Sequence, residues 1–550
     1  MEKIIKNNFF LIVIVAIGAV LRLYQLSVIP PHPSLDEATI GYNAYSILRT
    51  GADEYGYKFP VLLRAYDDWR PALYTYFVIP FVKAFDLNVL SVRLPSALLS
   101  IATIVSVFVF SKIIFRKFEY KLFGLNLSPS LFITILFAIS PWDVYISRLG
   151  HEANAFFSFL IFAITFFFLF LNLKKYKWLA ASTIFFALSF TAYQNGKIVV
   201  PIIVITLIFL FAKDLLQKRN YLILNLVLGI LMVAPVLIAS LGPNALVRFQ
   251  ATNLFSDTAA LEAKSAQNSI IDREKHNYIG LLFDNRRLIY PKLFLTSYSS
   301  HFSLFWLATN GGDEQFKIPG LGLIYLYELP LILLGLVFFL RSERIEKKTK
   351  IFLLIWLFSS VLPAAITNGY PHAMRAFQLQ PVFVLLSGFG LFSFIFLFKG
   401  KQTRNLLSLV AFIILAASGV MLFRQYFFVF PINTAHQFQY GIRDALSFVS
   451  VNEKNYNKIY VDNKKNLFES YMFYLFFTKY DPSEYQKEGG TVSGGFDREH
   501  IIGKYRFVAL VKHDLTDSLV VSNPNDISGG TRLKTIYLPT NKDALWITKK

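Results

Sequence analysis

The 550-residue chain contains no cysteine. That excludes disulfides, thiolate metal sites and cysteine nucleophiles, so any domain outside a membrane must be held by packing alone. Charge is scarce too: 16% of residues are Asp, Glu, Lys or Arg, against 55% hydrophobic residues, a balance unlike that of a soluble domain. No internal repeat and no low-complexity linker is visible, and a secondary transporter commonly carries such a repeat between its halves. The net charge of +20 would suggest nucleic acid in a soluble protein. Here the bases cluster in short loops between apolar runs, which is the positive-inside pattern, and no nucleic-acid partner is expected.

What the sequence does have is long apolar runs, of roughly 17–22 residues each, enough to span a ~30 Å hydrocarbon core at ~1.5 Å per residue. The first runs from about Asn8 to Ile29 behind Lys3 and Lys6, without a small-residue cleavage site, and reads as an uncleaved helix with its N-terminus inside. Basic loops follow at Arg116–Lys121, Lys174–Lys177, Lys213–Arg219, Arg341–Lys350 and Lys399–Arg404. Outer turns then fall near 148–154, 194–196, 241–320 and 368–376, and the chain makes about eleven crossings. Two apolar stretches fit poorly as spans. Residues 71–85 are short and interrupted by Pro80 and Lys83, and 288–311 are too polar, so both read as interfacial elements.

After Pro431 the composition changes. Residues 436–452 and 466–480 read as apolar-faced helices, and 458–463, 506–511, 518–523, 535–540 and 544–548 as strands. The expected architecture is a polytopic α-helical membrane domain over 1–430 and an extracytoplasmic α/β domain over 431–550. The chain is expected in a plasma membrane, and frequent Asn, Lys and Ile suggest a prokaryote with an AT-rich genome.

The stretch that organises this reading is the first outer loop, about 30–92, with adjacent Asp36 and Glu37 ahead of a candidate helix and Asp53 and Glu54 in a Gly-flanked turn. Paired acids at a bilayer surface suit an enzyme acting on a membrane-embedded substrate. They equally suit a capping pair for the 38–50 helix. The same outer face is expected to carry Arg70, Arg148, His151, Glu152, His372 and Arg375. Arginine grips phosphate through a charge-assisted fork, though each arginine alone also reads as a headgroup anchor. Tyr66, Trp69, Tyr74 and Tyr76 read as an interfacial aromatic belt, with sugar stacking the lesser reading. Asp67 and Asp68 read as solvated loop acids.

The order of these features carries a resemblance. A first helix ending in Arg22-Leu23-Tyr24 is followed by a Pro-rich loop, Asp36-Glu37, Thr50-Gly51, Arg70-Pro71-Ala72-Leu73-Tyr74 and 93-RLPSALLS-100. It resembles the GT-C glycosyltransferases that use polyprenyl-phosphate sugars, and within them the protein O-mannosyltransferases, the aminoarabinose transferases of lipid A and their bacterial relatives. The match is specific over roughly 20–150 and diffuse later, where His372 and Arg375 resemble an outer H-x-x-R loop. The resemblance implies that Asp36 is the base or acceptor-orienting residue and Glu37 a supporting acid. It also implies that Arg70 holds lipid phosphate, although Ala72 replaces the second proline of the relatives' K-P-P-L element.

The chemistry agrees with this inventory. A sugar leaving a lipid phosphate departs on a low-pKa group, so one carboxylate and one cation suffice, with inversion at the anomeric carbon. A glycosidase would want two carboxyls flanking the bond, about 5–9 Å apart. Adjacent helix residues diverge by roughly 100°, so Asp36 and Glu37 do not share one target atom. Asp36, Glu37, Asp53, Glu54 and Glu152 would together suit Mg²⁺ or Mn²⁺. No spaced ligand motif appears, and neither metal nor other cofactor is expected. The expected partners are membrane lipid, a polyprenyl-phosphate sugar donor and an acceptor protein, glycan or lipid. A transporter or flippase, or a polymerase or ligase for lipid-linked glycans, is the alternative.

Overall fold

The structure is a computed structural model; it describes residues 9–66, 68–122, 125–242, 252–256, 258–309, 316–488 and 499–550. Lys3, Lys6, Asp67 and part of the expected 241–320 outer turn lie outside these residues. The chain forms two compact units, one from residues 1–15, 103–143 and 156–418, the other from 16–102, 144–155 and 419–550.

Six helices are long and apolar enough to cross a membrane: Val89–Ile114, Glu152–Leu173, Arg219–Ser240, Lys347–Ala365, Phe377–Leu397 and Lys401–Asn433. A seventh is the pair Pro129–Ala138 and Pro141–Ser147, bent by 49°. Pro141 explains the bend, because it lacks an N–H and turns the residue before it away from helix. Phe9–Leu23, Leu73–Phe85 and Gly196–Leu210 are shorter apolar helices. The eleven crossings expected from loop charge therefore exceed the six or seven helices that meet length and composition among the described residues.

In the first unit, helices Glu328–Arg341 and Gln380–Leu397 touch backbone to backbone. A Cβ on Gly335 would strike the carbonyl oxygen of Leu386, and one on Gly390 that of Leu331. Such approach is how helices associate where lipid tails compete for every apolar side chain. The buried Ser387 hydroxyl donates across the seam to Glu328 at 2.9 Å.

In the second unit, the first outer loop supplies helix Leu35–Thr50, a hairpin pairing Leu62–Ala65 with Asp68–Pro71, and helix Leu73–Phe85. The C-terminal residues build a six-stranded sheet in the order His500–Ile502, Tyr505–Val508, Ile459–Asp462, Leu519–Ser522, Asp543–Lys549, Thr531–Tyr537. Its buried Ile459–Asp462 strand runs parallel to both neighbours. The expected strands at 458–463, 518–523, 535–540 and 544–548 are present within a few residues. The 506–511 segment stops as a strand at Val508, and Leu510–Lys512 becomes a 3-10 turn. Strand His500–Ile502 and helix Pro482–Lys487 are additions. Both are short, with too few residues to show a period.

Helix Leu35–Thr50 is clamped from two sides. A Cβ on Gly41 would lie 2.5 Å from the Phe476 ring and 2.7 Å from Val92. Gln486 Nε2 donates to the Asp53 carbonyl at 2.7 Å, and Tyr42 hydroxyl to the Tyr480 carbonyl at 3.1 Å.

Replacing Gly335 or Gly390 by Val must separate the two helices, at a cost of about 1–3 kcal/mol or more, as for overpacking elsewhere. Thermal unfolding in detergent is expected to shift down for each, while Ala at exposed Leu333 leaves it within about 1 °C of wild type.

Candidate active site

Ser34 opens the helix as N-cap, with its hydroxyl accepting from Glu37 N at 3.2 Å and Glu37 Oε2 accepting from Ser34 N at 2.8 Å. This is a capping box, and its Ser-x-x-Glu signature is legible at 34–37. It turns Glu37 inward and leaves Asp36, about 100° around the helix, to face out.

Glu37 is 1% exposed and Arg93 fully buried. Arg93 Nε and Nη2 reach the two Glu37 oxygens at 2.6 and 3.1 Å, and Gly150 N adds a third donor at 2.9 Å. The remaining Arg93 hydrogens go to the carbonyls of Leu26 at 3.1 Å, Pro30 at 3.0 Å and His32 at 3.0 Å. Burial alone would raise the Glu37 pKa, but Arg93 outweighs it and holds the carboxyl below its usual range. Gly150 can come this close because a Cβ there would strike Val92.

Asp36 is the exposed member of a second network, at 37%. Its Oδ1 takes a hydrogen bond from Arg70 Nη1 at 2.6 Å, and Oδ2 lies 3.4 Å from His151 Nε2. His151 Nδ1 lies 3.5 Å from Glu152 and accepts from Ala153 N at 3.0 Å. Arg70, on the hairpin opposite Leu63, also sits 3.6 Å from Asp68. Its Nε is buried with no hydrogen-bond partner among the described residues. Burial opposes ionisation of Asp36, yet Arg70 and His151 hold its pKa well below normal. Burial likewise disfavours a charged His151, and Glu152 with Asp36 reverses that and raises it. Asp68 thus belongs to the network, where the sequence suggested a solvated acid. Tyr66 and Tyr74 spend their hydroxyls on the Leu35 and Val92 carbonyls, at 3.3 and 2.8 Å.

The structure brings together Asp36, Arg70, His151 and Glu152, with Glu37 directly beneath. Arg148 does not join them. Its guanidinium is buried, donates to the carbonyls of Leu21, Tyr24 and Ile29 at 2.8–3.1 Å, and lies over the rings of Tyr426 and Phe427. Three of its hydrogens thus go to main-chain oxygens, while its Nε is buried with no hydrogen-bond partner among the described residues. His372 and Arg375 belong to the other unit, where Arg375 Nη1 donates to Thr367 Oγ1 at 2.8 Å and Asn368 O at 2.9 Å. Arg93, the residue sequence reasoning left without a role, is the one that locks the site. Its signal in the sequence is the RLPS motif that begins at residue 93.

The five acids that would suit a cation do not converge on one point. Asp53 Oδ1 accepts from Tyr55 N and Tyr57 N, and Glu54 exchanges two hydrogen bonds with Asn43. Among the described residues no group of three or more His, Asp or Glu side chains is arranged to hold a metal ion. Burial, reinforced by Asp53 and opposed by the Asn43 amide, pushes Glu54 up to about 8.

No protein-family model matches the sequence, and no curated protein matches it significantly. Solved structures do match. ArnT from Cupriavidus metallidurans bound to undecaprenyl phosphate aligns over 98% of both chains, with a TM-score of 0.55 at 11% identity. Its apo form gives 0.54 at 10% identity, over 98% of this chain and 97% of that one. The chain has the fold of ArnT. An oligosaccharyltransferase of Archaeoglobus fulgidus gives a TM-score of 0.47 at 14% identity, over 86% of this chain. The chain spans about 64% of that protein's length. At these identities the likeness is one of fold.

Two outcomes are expected from stability measurements on the purified protein. Glu37→Gln leaves Arg93 buried without its counter-ion, which costs about 3–5 kcal/mol, and Asp36→Asn costs less because its side chain is partly solvated. Since Asp36 and Glu37 titrate lower in the fold than their ordinary values of 3.8 and 4.5, their stabilisation is complete above those values and is lost as pH falls through the folded ones. Glu54 has the opposite sign. Between 4.5 and about 8 the fold retains a proton that the unfolded chain has released, so stability falls across that window. Glu54→Gln is expected to raise the melting temperature at pH 8 by roughly 2–4 °C and to change it little at pH 4.5.

Proposed function

We propose that the protein is an inverting glycosyltransferase that moves a sugar from a polyprenyl-phosphate donor to an acceptor hydroxyl at the outer face of a prokaryotic plasma membrane. The observation that carries this reading is Asp36, a partly exposed carboxylate placed between Arg70 and His151 on an otherwise buried scaffold. Its GT-C fold is that of ArnT, which was solved with undecaprenyl phosphate. In this reading the chain crosses the membrane eleven times, with its N-terminus inside and the C-terminal sheet outside.

The donor phosphate competes with Asp36 for the Arg70 guanidinium, whose buried Nε still has a hydrogen to give. Drawing Arg70 toward phosphate removes the strongest influence that keeps the Asp36 pKa low, so the carboxylate gains basicity when the donor is in place. Asp36 then takes the proton of the acceptor hydroxyl as its oxygen bonds to the anomeric carbon. The bond from that carbon to the phosphate oxygen breaks on the opposite side, and polyprenyl phosphate leaves with the electron pair. No acid need protonate this leaving group. His151, backed by Glu152, keeps Asp36 oriented toward the acceptor and offsets its charge. Glu37 acts through the rigid base it forms with Arg93, so it is a positioning residue. The six-stranded sheet, built into the same unit as Asp36, serves acceptor placement.

Membranes carrying the protein are expected to release sugar from radiolabelled polyprenyl-phosphate hexose or pentose, with an inverted anomeric centre in the product by NMR. Asp36→Asn should lower kcat at least about 100-fold, in the range of general-base losses. Arg70→Ala should act mainly on the donor, raising KM by about tenfold or more. Turnover unchanged by Asp36→Asn would reject the assignment. Donor carried across the membrane without cleavage would favour a flippase.

A further inference from the structure

Helices Tyr176–Ala192, Gly196–Leu210 and Arg219–Ser240, with part of Glu152–Leu173, enclose a cavity of about 290 Å³ within the first unit. This is near the lower end of the roughly 300–1,000 Å³ typical of ligand pockets. Phe167, Phe186, Phe190, Leu207 and Leu222 give it an apolar wall, and Gly229 leaves room where a side chain would intrude. Only 11% of the apolar window of Arg219–Ser240 is buried, so one wall is a helix that presents most of its surface outward.

Charge and aromatic rings lie close in sequence to the wall of the cavity. Leu179 and Leu222, which line it, lie one turn or less from Tyr176 and Tyr221, whose rings stack at 4.7 Å. The Lys218 ammonium sits over both rings, 5.2 and 5.6 Å from their centres. Lys177 and Arg219 are their exposed neighbours in sequence, and the Lys177 ammonium lies 5.2 Å from the centre of the Trp178 ring. These residues belong to two of the basic loops that the charge pattern places inside. An apolar cavity with stacked tyrosines and the Lys218 cation a turn or less from its wall is complementary to one class of molecule, an amphiphile with an anionic head.

We infer that this groove holds an anionic phospholipid of the cytoplasmic leaflet, with one acyl chain in the cavity and its phosphate against Lys177, Lys218 and Arg219. The site belongs to the first unit and Asp36 to the second, and lipid binding there requires neither donor nor acceptor. The tyrosines hold the Lys218 ammonium at headgroup level, where a cation is well placed to meet a phosphate.

The test is native mass spectrometry of the full chain released from nanodiscs of equal phosphatidylglycerol and phosphatidylcholine. Wild type is expected to retain phosphatidylglycerol in clear preference. Lys177→Gln with Lys218→Gln should weaken that retention roughly tenfold or more, since each basic residue near an anionic surface contributes to binding. Ala187→Phe, which fills the groove and leaves the cations in place, should abolish retention of either lipid. If that variant misfolds, the exposed double lysine variant still decides the matter. Equal retention of the two lipids, unchanged retention in the lysine variant, or no retained lipid would each overturn the inference. Competition by free inorganic phosphate without a retained lipid would assign the cations to a soluble anion and overturn it as well.

Discussion

The buried contact between Arg93 and Glu37 is the constraint on which the rest of the site depends. Two ions taken out of water repay their desolvation only when geometry is good and every remaining hydrogen is used. Here that condition is met by drawing in the carbonyls of Leu26, Pro30 and His32 and the amides of Ser34 and Gly150. One ion pair therefore gathers the end of the first apolar helix, the proline-rich loop, the start of helix Leu35–Thr50 and the turn before His151. Asp36 and His151 both hang directly from this assembly, and their separation follows from it.

The consequence is a division of labour between two neighbouring acids with nearly identical side chains. Glu37 is charged because it must be, to cancel Arg93 in a place water does not reach. Asp36 is charged by choice of partners, Arg70 and His151, that a ligand can redistribute. The difference comes from the helix turn, which places one carboxylate under the backbone and the next above it.

Much of this was legible in the sequence, for physical reasons. Long apolar helices announce themselves through hydropathy, and the parallel core strand Ile459–Asp462 through its apolar residues and flanking polar turns. The pairing of Asp36 with Arg70 and His151 was readable only as shared membership of one face, because contacts 34 and 115 residues apart leave no local pattern. Arg148 shows the converse. Its charge and loop position suggest a phosphate ligand, but the structure sets it against three carbonyl groups, at residues 21, 24 and 29, and carbonyls are invisible in a sequence. Arg93 was overlooked for a related reason, since an arginine inside an apolar run reads as an exception to explain away until its carboxylate is found.

Gly41 has a bearing on how this molecule can be rebuilt. With no room for a side chain, it lets the Phe476 ring rest directly on the helix that carries Asp36. The C-terminal segment is thus a wall of this helix's own socket, and it does not behave as an interchangeable attachment. A chimaera that exchanges the last hundred residues for those of another protein of this fold must bring a matching aromatic ring to Gly41, or the helix loses its seat. Residues are most freely exchanged at the far edge of the sheet, around Thr531–Tyr537, where strand residues are mostly exposed and nothing in helix Leu35–Thr50 needs to be recut.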